Sequence, residues 1–186
     1  GLFERGISII SDVPIVAYAH IYDGATSGAS LLLPVGVYGY EYQSLNSRQY
    51  YPTGGAGSYS WMSVMTDRDS TLVEITPSVT TKKGRPAGVP FTVLLMRGEV
   101  YNIMGTINGA TGTDLSGTLV KSIANPSGKC YPIAVFSGSS RTAICNTTNG
   151  DKMIQQVFPS QAWGKKYLAF ATAVSTSNTN YNSNLF

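Results

Sequence analysis

One histidine, His20, stands in this chain of 186 residues. It is the only side chain whose ordinary pKa suits proton transfer near neutral pH. It sits in the row Tyr18, His20, Tyr22, alternating with Ile15, Ala17, Ala19 and Ile21. Such alternation is that of a strand with one apolar face and one aromatic-polar face. Nucleophilic catalysis would need a Ser or Cys within reach and a carboxylate to orient the imidazole. No Gly-x-Ser-x-Gly elbow is present, and only Asp12 and Asp23 lie near in sequence. His20 therefore reads as a structural ring in an aromatic row. The acidic pair Asp67 and Asp69 brackets Arg68. A cation between two carboxylates argues against calcium, so the segment reads as a turn before a strand at Thr71. With 10 acidic residues, mostly in turn-like segments, the paired carboxylates of a glycosidase are not in evidence. Nothing calls for a metal or a cofactor, and the chain reads as no enzyme.

Binding chemistry has better material. Tyrosine is abundant at 12 residues, and Tyr38, Tyr40, Tyr42, Tyr50, Tyr51, Tyr59 and Trp61 crowd one third of the chain. Rings with a polar tip suit sugar stacking and protein interfaces. They suit half-buried strands equally. Tyr50, Tyr51 and Tyr59, with Arg48 and a Gly-rich loop beside them, are the candidate binding surface. Cys130 and Cys145 flank an expected hairpin, with a strand Ile133–Phe136, a turn Ser137-Gly-Ser-Ser140 and a second short strand. A disulfide there would close a loop of about 15 residues, worth on the order of 3 kcal/mol. The alternative is two buried free thiols. Two Cys with one distant His do not make a zinc site. Asn146-Thr-Thr148 is an N-glycosylation acceptor sequence if the source is eukaryotic.

The elements that would position these residues repeat. Pro14-Ile-Val-Ala-Tyr18 returns as Pro132-Ile-Ala-Val-Phe136, an offset of 118 (132 − 14). Pro34, Tyr38, Gly39 and Tyr42 return as Pro159, Trp163, Gly164 and Tyr167, an offset of 125 (159 − 34). The seven extra residues of the second copy imply a longer loop. Tyr38 and Tyr42, having counterparts, read as core. Thr71–Thr76, Phe91–Met96, Glu99–Met104 and Leu119–Ile123 read as strands and Met153–Phe158 as a strand or a helical turn, with Arg97-Gly98 as a two-residue hairpin loop. Glycine- and proline-rich stretches separate them, and no window holds a helical period. The expected fold is all-β and sandwich-like with an internal repeat, a propeller being the rival. The chain reads as one module, with a first partial copy at about 1–65, intervening strands at 66–118 and a second partial copy at about 119–186. It looks like a slice of a larger repetitive protein. Residues 178–186 would then lie along a sheet edge or dock on a neighbour.

Charged residues make up 12%, about half the usual share of roughly 25%. The net charge of +3 is too small and scattered to argue for nucleic acid. The runs Lys82-Lys83 and Lys165-Lys166 read as solvated loops. No apolar stretch approaches a membrane span, so no membrane insertion is expected.

The order of motifs resembles the N-terminal domain family of IgG-Fc-binding protein and its relatives in surface proteins of Bacteroidota. The resemblance runs through Gly6-Ile-Ser-Ile-Ile-Ser-Asp12 and Asp69-Ser-Thr-Leu-Val-Glu-Ile-Thr-Pro77. It continues through Gly88-Val-Pro-Phe91, Gly98-Glu-Val-Tyr101, Asp114-Leu-Ser-Gly-Thr118 and Pro132-Ile-Ala-Val-Phe-Ser-Gly138. Gln155-Gln-Val-Phe-Pro159 and Trp163-Gly-Lys-Lys-Tyr167 complete it. It implies an extracellular or cell-surface module in long modular chains, binding a protein or glycan ligand. It transfers no ligand contact. Asp69-Ser70-Thr71 also resembles the O-glycosylation sequence of that phylum, which would place Ser70 at the surface. The expected function is a non-catalytic binding or adhesion module. The alternative is a structural repeat unit of a surface fibre whose partners are neighbouring domains or subunits.

Overall fold

A computed structural model describes residues 1–3, 6–23, 26–50, 57–143 and 150–168. Thirteen strands follow in chain order. They are β1 Leu2–Phe3, β2 Ala17–Asp23, β3 Thr26–Leu32, β4 Glu41–Gln43, β5 Ser60–Met65, β6 Thr71–Thr76 and β7 Phe91–Leu95. Then come β8 Val100–Met104, β9 Ile107–Asn108, β10 Thr111–Gly112, β11 Leu119–Ile123, β12 Ala134–Thr142 and β13 Asp151–Gln156. One sheet has the order β1-β8-β5-β12-β13 and another the order β4-β11-β6-β7, while β2-β3 and β9-β10 form separate hairpins. The fold is all-β and sandwich-like, and among the described residues none of its sheets closes into a barrel.

The apolar alternation of the strands makes the core. Met62 and Val64 of β5, Ile103 of β8 and Val135 of β12 pack with Tyr42 of β4, Val73 and Ile75 of β6, Leu95 of β7 and Val120 of β11. Ile133, Leu115 and Val157 complete the buried cluster. Strands β5, β6 and β11 bury alternate residues, so the two sheets face each other across one apolar layer.

Two expected turns come out differently. Phe91–Leu95 and Val100–Met104 do not pair with each other; β7 pairs with β6, and β8 pairs with β5 and β1. Arg97-Gly98 is instead a corner between sheets. It is clasped to the neighbouring β5–β6 corner, where Gly98 N–H donates to Thr66 O and Arg97 N–H to Asp69 Oδ1, both at 3.0 Å. Two stacked corners send both chain pairs across the sandwich together.

Ser137-Gly-Ser-Ser140 is the middle of β12, not a turn. Its hydroxyls satisfy a backbone segment that crosses over them. Leu45 N–H donates to Ser137 Oγ, which donates back to Leu45 O; Ser139 Oγ donates to Ser47 O, and Thr142 Oγ1 to Arg48 O. Asn46 Nδ2 donates to Gly138 O and Trp61 O, both at 2.7 Å. A Cβ on Gly138 would collide with the Met153 carbonyl of β13. Small and hydroxylated residues serve close backbone approach here.

The repeat is visible in register. Tyr18 pairs with Leu31 in the first hairpin, and Phe136, 118 residues on, pairs with Gln156, 125 residues on from Leu31. Both hairpins lead to a proline and one 3-10 turn, Val35–Val37 after Pro34 and Ser160–Ala162 after Pro159. The prolines have φ −63°, ψ 152° and φ −64°, ψ 153°. In both copies a glycine N–H then donates to the tyrosine hydroxyl three residues on, Gly39 to Tyr42 and Gly164 to Tyr167. In the first copy Tyr42 is buried and its hydroxyl donates to Ile133 O at 2.5 Å. Burial pushes the Tyr42 hydroxyl up to about 12.

Candidate functional site

The loop between β6 and β7 tightens into the turn Thr81-Lys-Lys-Gly-Arg85. Thr81 N–H donates to Arg85 O, Arg85 N–H to Thr81 Oγ1, and Gly84, at φ +78°, closes it with a bond to Thr81 O. Thr81 is buried, and Lys82 N–H donates to Met104 O at 2.8 Å, which fixes the turn against the end of β8. Lys82, Lys83 and Arg85 are thereby held around a cavity of about 280 Å³. Phe3, Phe91, Tyr101 and Met104 supply its apolar wall, and no carboxylate lies among the lining residues that the structure describes.

Two of the cations rest on rings. Lys82 Nζ lies 4.0 Å from the centroid of Tyr59 and donates to its hydroxyl at 2.5 Å. Arg85 lies 4.6 Å over Phe91, whose ring is 6.1 Å from that of Tyr101. The ion pairs found among the described residues are Arg68–Asp67 and Lys121–Glu41, so none involves these three cations. Ring faces orient the two side chains while leaving N–H donors for an anion. The arrangement suits a carboxylate, sulfate or phosphate carried on a ring or aliphatic body.

Of the expected binding surface, Tyr59 reaches this rim through Lys82. Arg48 is exposed, and Tyr50 is half-buried with its N–H bonded to Arg141 O. Arg48, Tyr50 and Tyr59 all attach to Ser140–Thr142 of β12, Arg48 O accepting from Thr142 Oγ1, Tyr50 N–H donating to Arg141 O and Tyr59 O accepting from Ser140 N–H. Tyr51 lies outside the described residues. The Lys82-Lys83 run is the exposed loop expected and also lines the groove; three cations within four residues of a weakly charged chain were the signal.

His20 is exposed on β2, with its ring 5.9 Å from that of Tyr22. Asp67 and Asp69 sit in the expected turn, and no metal cluster is found among the described residues. Ser70 is exposed at φ 57°. Asn146, Cys145 and residues 178–186 lie outside the described residues. Cys130 is exposed rather than buried, its thiol donating to Ser122 O at 3.3 Å. The hairpin invoked to bring the cysteines together is absent, because β12 runs extended between them.

The sequence model of the family "IgGFc binding protein" matches residues 28–185. The chain belongs to this family. No curated protein and no solved structure matches it. Membership in the IgGFc-binding family fits a binding module rather than an enzyme. Among the described residues no helix is long and apolar enough to cross a membrane.

Proposed function

We propose that this protein is a non-catalytic binding module working outside the cell, in adhesion or capture, and that its groove takes an acidic group of a protein or glycan. The observation that carries the reading is the cavity ringed by Lys82, Lys83 and Arg85 with aromatic walls and no lining carboxylate among the described residues. A cation already resting on a ring face keeps its charge and loses little freedom when a ligand arrives. The family description names immunoglobulin Fc, which makes Fc the first protein ligand to try, with sialylated, sulfated and neutral glycans beside it.

Binding is expected for an acidic ligand, weakening as salt screens the contact. Charge reversal at Lys82→Glu and Arg85→Glu is expected to lower affinity at least about tenfold, or roughly 1.4 kcal/mol. Binding indifferent to both substitutions, or a turnover activity that vanishes with His20→Ala, would overturn the reading.

A further inference from the structure

The internal repeat gives each hairpin a template for its surroundings. In the second copy β12 has two neighbours, β13 within the hairpin and β5 on the other edge. In the first copy β2 pairs with β3 and, among the described residues, has no second strand partner. The far side of β3 is engaged: Ser27 N–H donates to Asp151 Oδ1, Gln156 N–H to Ser30 Oγ, and Leu33 N–H to Gln156 Oε1. Among the described residues that leaves the outer edge of β2 open, while β5 is already paired on both sides, with β12 and β8.

Side-chain burial shows the same imbalance. Ile133 and Val135 are fully buried and Ala134 is 1% exposed, with Ile133 N–H donating to Gly39 O in the first turn. Of their counterparts, Ile15 and Val16 are 55% and 68% exposed and Ala17 is half-buried. Tyr18, counterpart of half-buried Phe136, is 68% exposed, and Ile7, Ile10 and Val13 extend the apolar surface along the preceding segment. A row of exposed apolar residues on an open strand edge is a template for strand addition.

We infer that the outer edge of β2 binds a β-strand of the β5 type, antiparallel, supplied by another module of the same kind. The second copy sets the register: Val135 opposite Val64, Ser137 opposite Met62 and Ser139 opposite Ser60. By the offset of 118 the incoming strand places those residues opposite Ala17, Ala19 and Ile21. The alternation of Ser60, Met62 and Val64 with Trp61, Ser63 and Met65 is the chemistry selected, small or aliphatic toward the module and mixed outward. This partner site lies apart from the cationic groove and does not depend on its ligand.

The probe is a synthetic peptide with the sequence of residues 58–66, added to the purified chain, with amide hydrogen exchange as readout. Exchange over Ala17–Asp23 is expected to slow at least about tenfold at saturation, as added strand hydrogen bonds require. The same peptide with proline at the position of Ser63 is expected not to bind, because proline removes a ladder donor. Ala19→Asp in the protein is expected to weaken peptide binding at least about tenfold, since strand addition would cover a carboxylate that is solvated in the free edge. The chain's circular dichroism and melting temperature serve as the folding control. No slowing, equal slowing by a scrambled peptide, or protection, before peptide is added, of the β2 amides that do not bond to β3 would overturn the inference. In the last case a second copy or the chain's own remaining residues already hold the edge.

Discussion

The two copies of the repeat use the same local code and meet opposite fates. In the first copy strand β2 is largely exposed while Gly39 and Tyr42, at the end of the following turn, are buried; in the second copy β12 is largely buried while Gly164 and Tyr167 are exposed. Tyr42 is 1% exposed, against 72% for its counterpart Tyr167. Ile133 is fully buried, against 55% exposure for Ile15. Backbone registers and proline-capped turns match across the copies, so local sequence sets the shape of each unit. What covers it is set elsewhere. The first turn docks on the start of the second hairpin, through Gly39 and Ile133, and β5, which follows that turn, pairs with β12. The first turn and the strand after it therefore cover the second hairpin, while the outer edge of the first hairpin has no such cover among the described residues.

The largest test of that contrast is Gly138. Its counterpart by the offset of 118 is His20, which carries a full ring on β2. Gly138→Ala drives a Cβ into backbone of β13 and is expected to cost about 3 kcal/mol or more in chemical denaturation. His20→Ala is expected to change stability by no more than about 0.5 kcal/mol, as at an exposed site. Equal effects at the two positions would break the comparison.

Tyr42 and Tyr167 come next. Tyr42→Phe strands the Gly39 N–H and removes the donor to Ile133 O inside the core, an expected loss of about 1–3 kcal/mol. Tyr167→Phe removes the same intra-turn bond in water and is expected to cost less than about 0.5 kcal/mol. A pH dependence separates them further. The folded-state pKa of Tyr42 is raised, from 10.0 to about 12, so the folded chain holds that proton more tightly than the unfolded one. Its contribution is complete below about pH 10 and is lost as pH rises through about 12. Urea midpoints measured from pH 8 to 11 should fall at the alkaline end, and Tyr42→Phe should flatten that fall where Tyr167→Phe leaves it.

The smallest expected effect is at Cys130, whose counterpart in the first copy is Asp12. Its exposed position before the extended strand β12 predicts reaction with a thiol reagent in the native protein. Cys130→Ser is expected to shift stability by no more than about 0.5 kcal/mol. A reagent-silent Cys130 that becomes reactive only after reduction would restore the disulfide expected from the sequence.

Much of this was legible before any coordinates. Strand patterning found β2, β6 and β11, and the spacing of Pro34, Gly39 and Tyr42 against Pro159, Gly164 and Tyr167 found the duplicated turn. The misreadings share a cause. Gly98 and Gly138 are local signals whose meaning depends on a remote neighbour: Thr66 and Asp69 turn one into a corner between sheets, and residues 44–48 with β13 make the other a closely packed strand centre. The groove was missed for the same reason. Lys82 and Arg85 become oriented donors only where Tyr59 and Phe91 arrive beneath them, and nothing in the run of residues 82–85 announces those rings.

The pairing of Met65 with Ala134 also has a consequence in time. The β2–β3 hairpin closes between near neighbours, Asp23 and Thr26, and can form as soon as its residues are free to meet. Strand β5 must wait for β12, and at ~5–20 residues per second of synthesis that interval is roughly 3–14 s. Through it, Met62 and Val64 have no permanent cover on the β12 side, and refolding from denaturant must close the same long loop before the sandwich gains its central pair. Nascent chains stalled before residue 134 should therefore be the ones most readily held by chaperones.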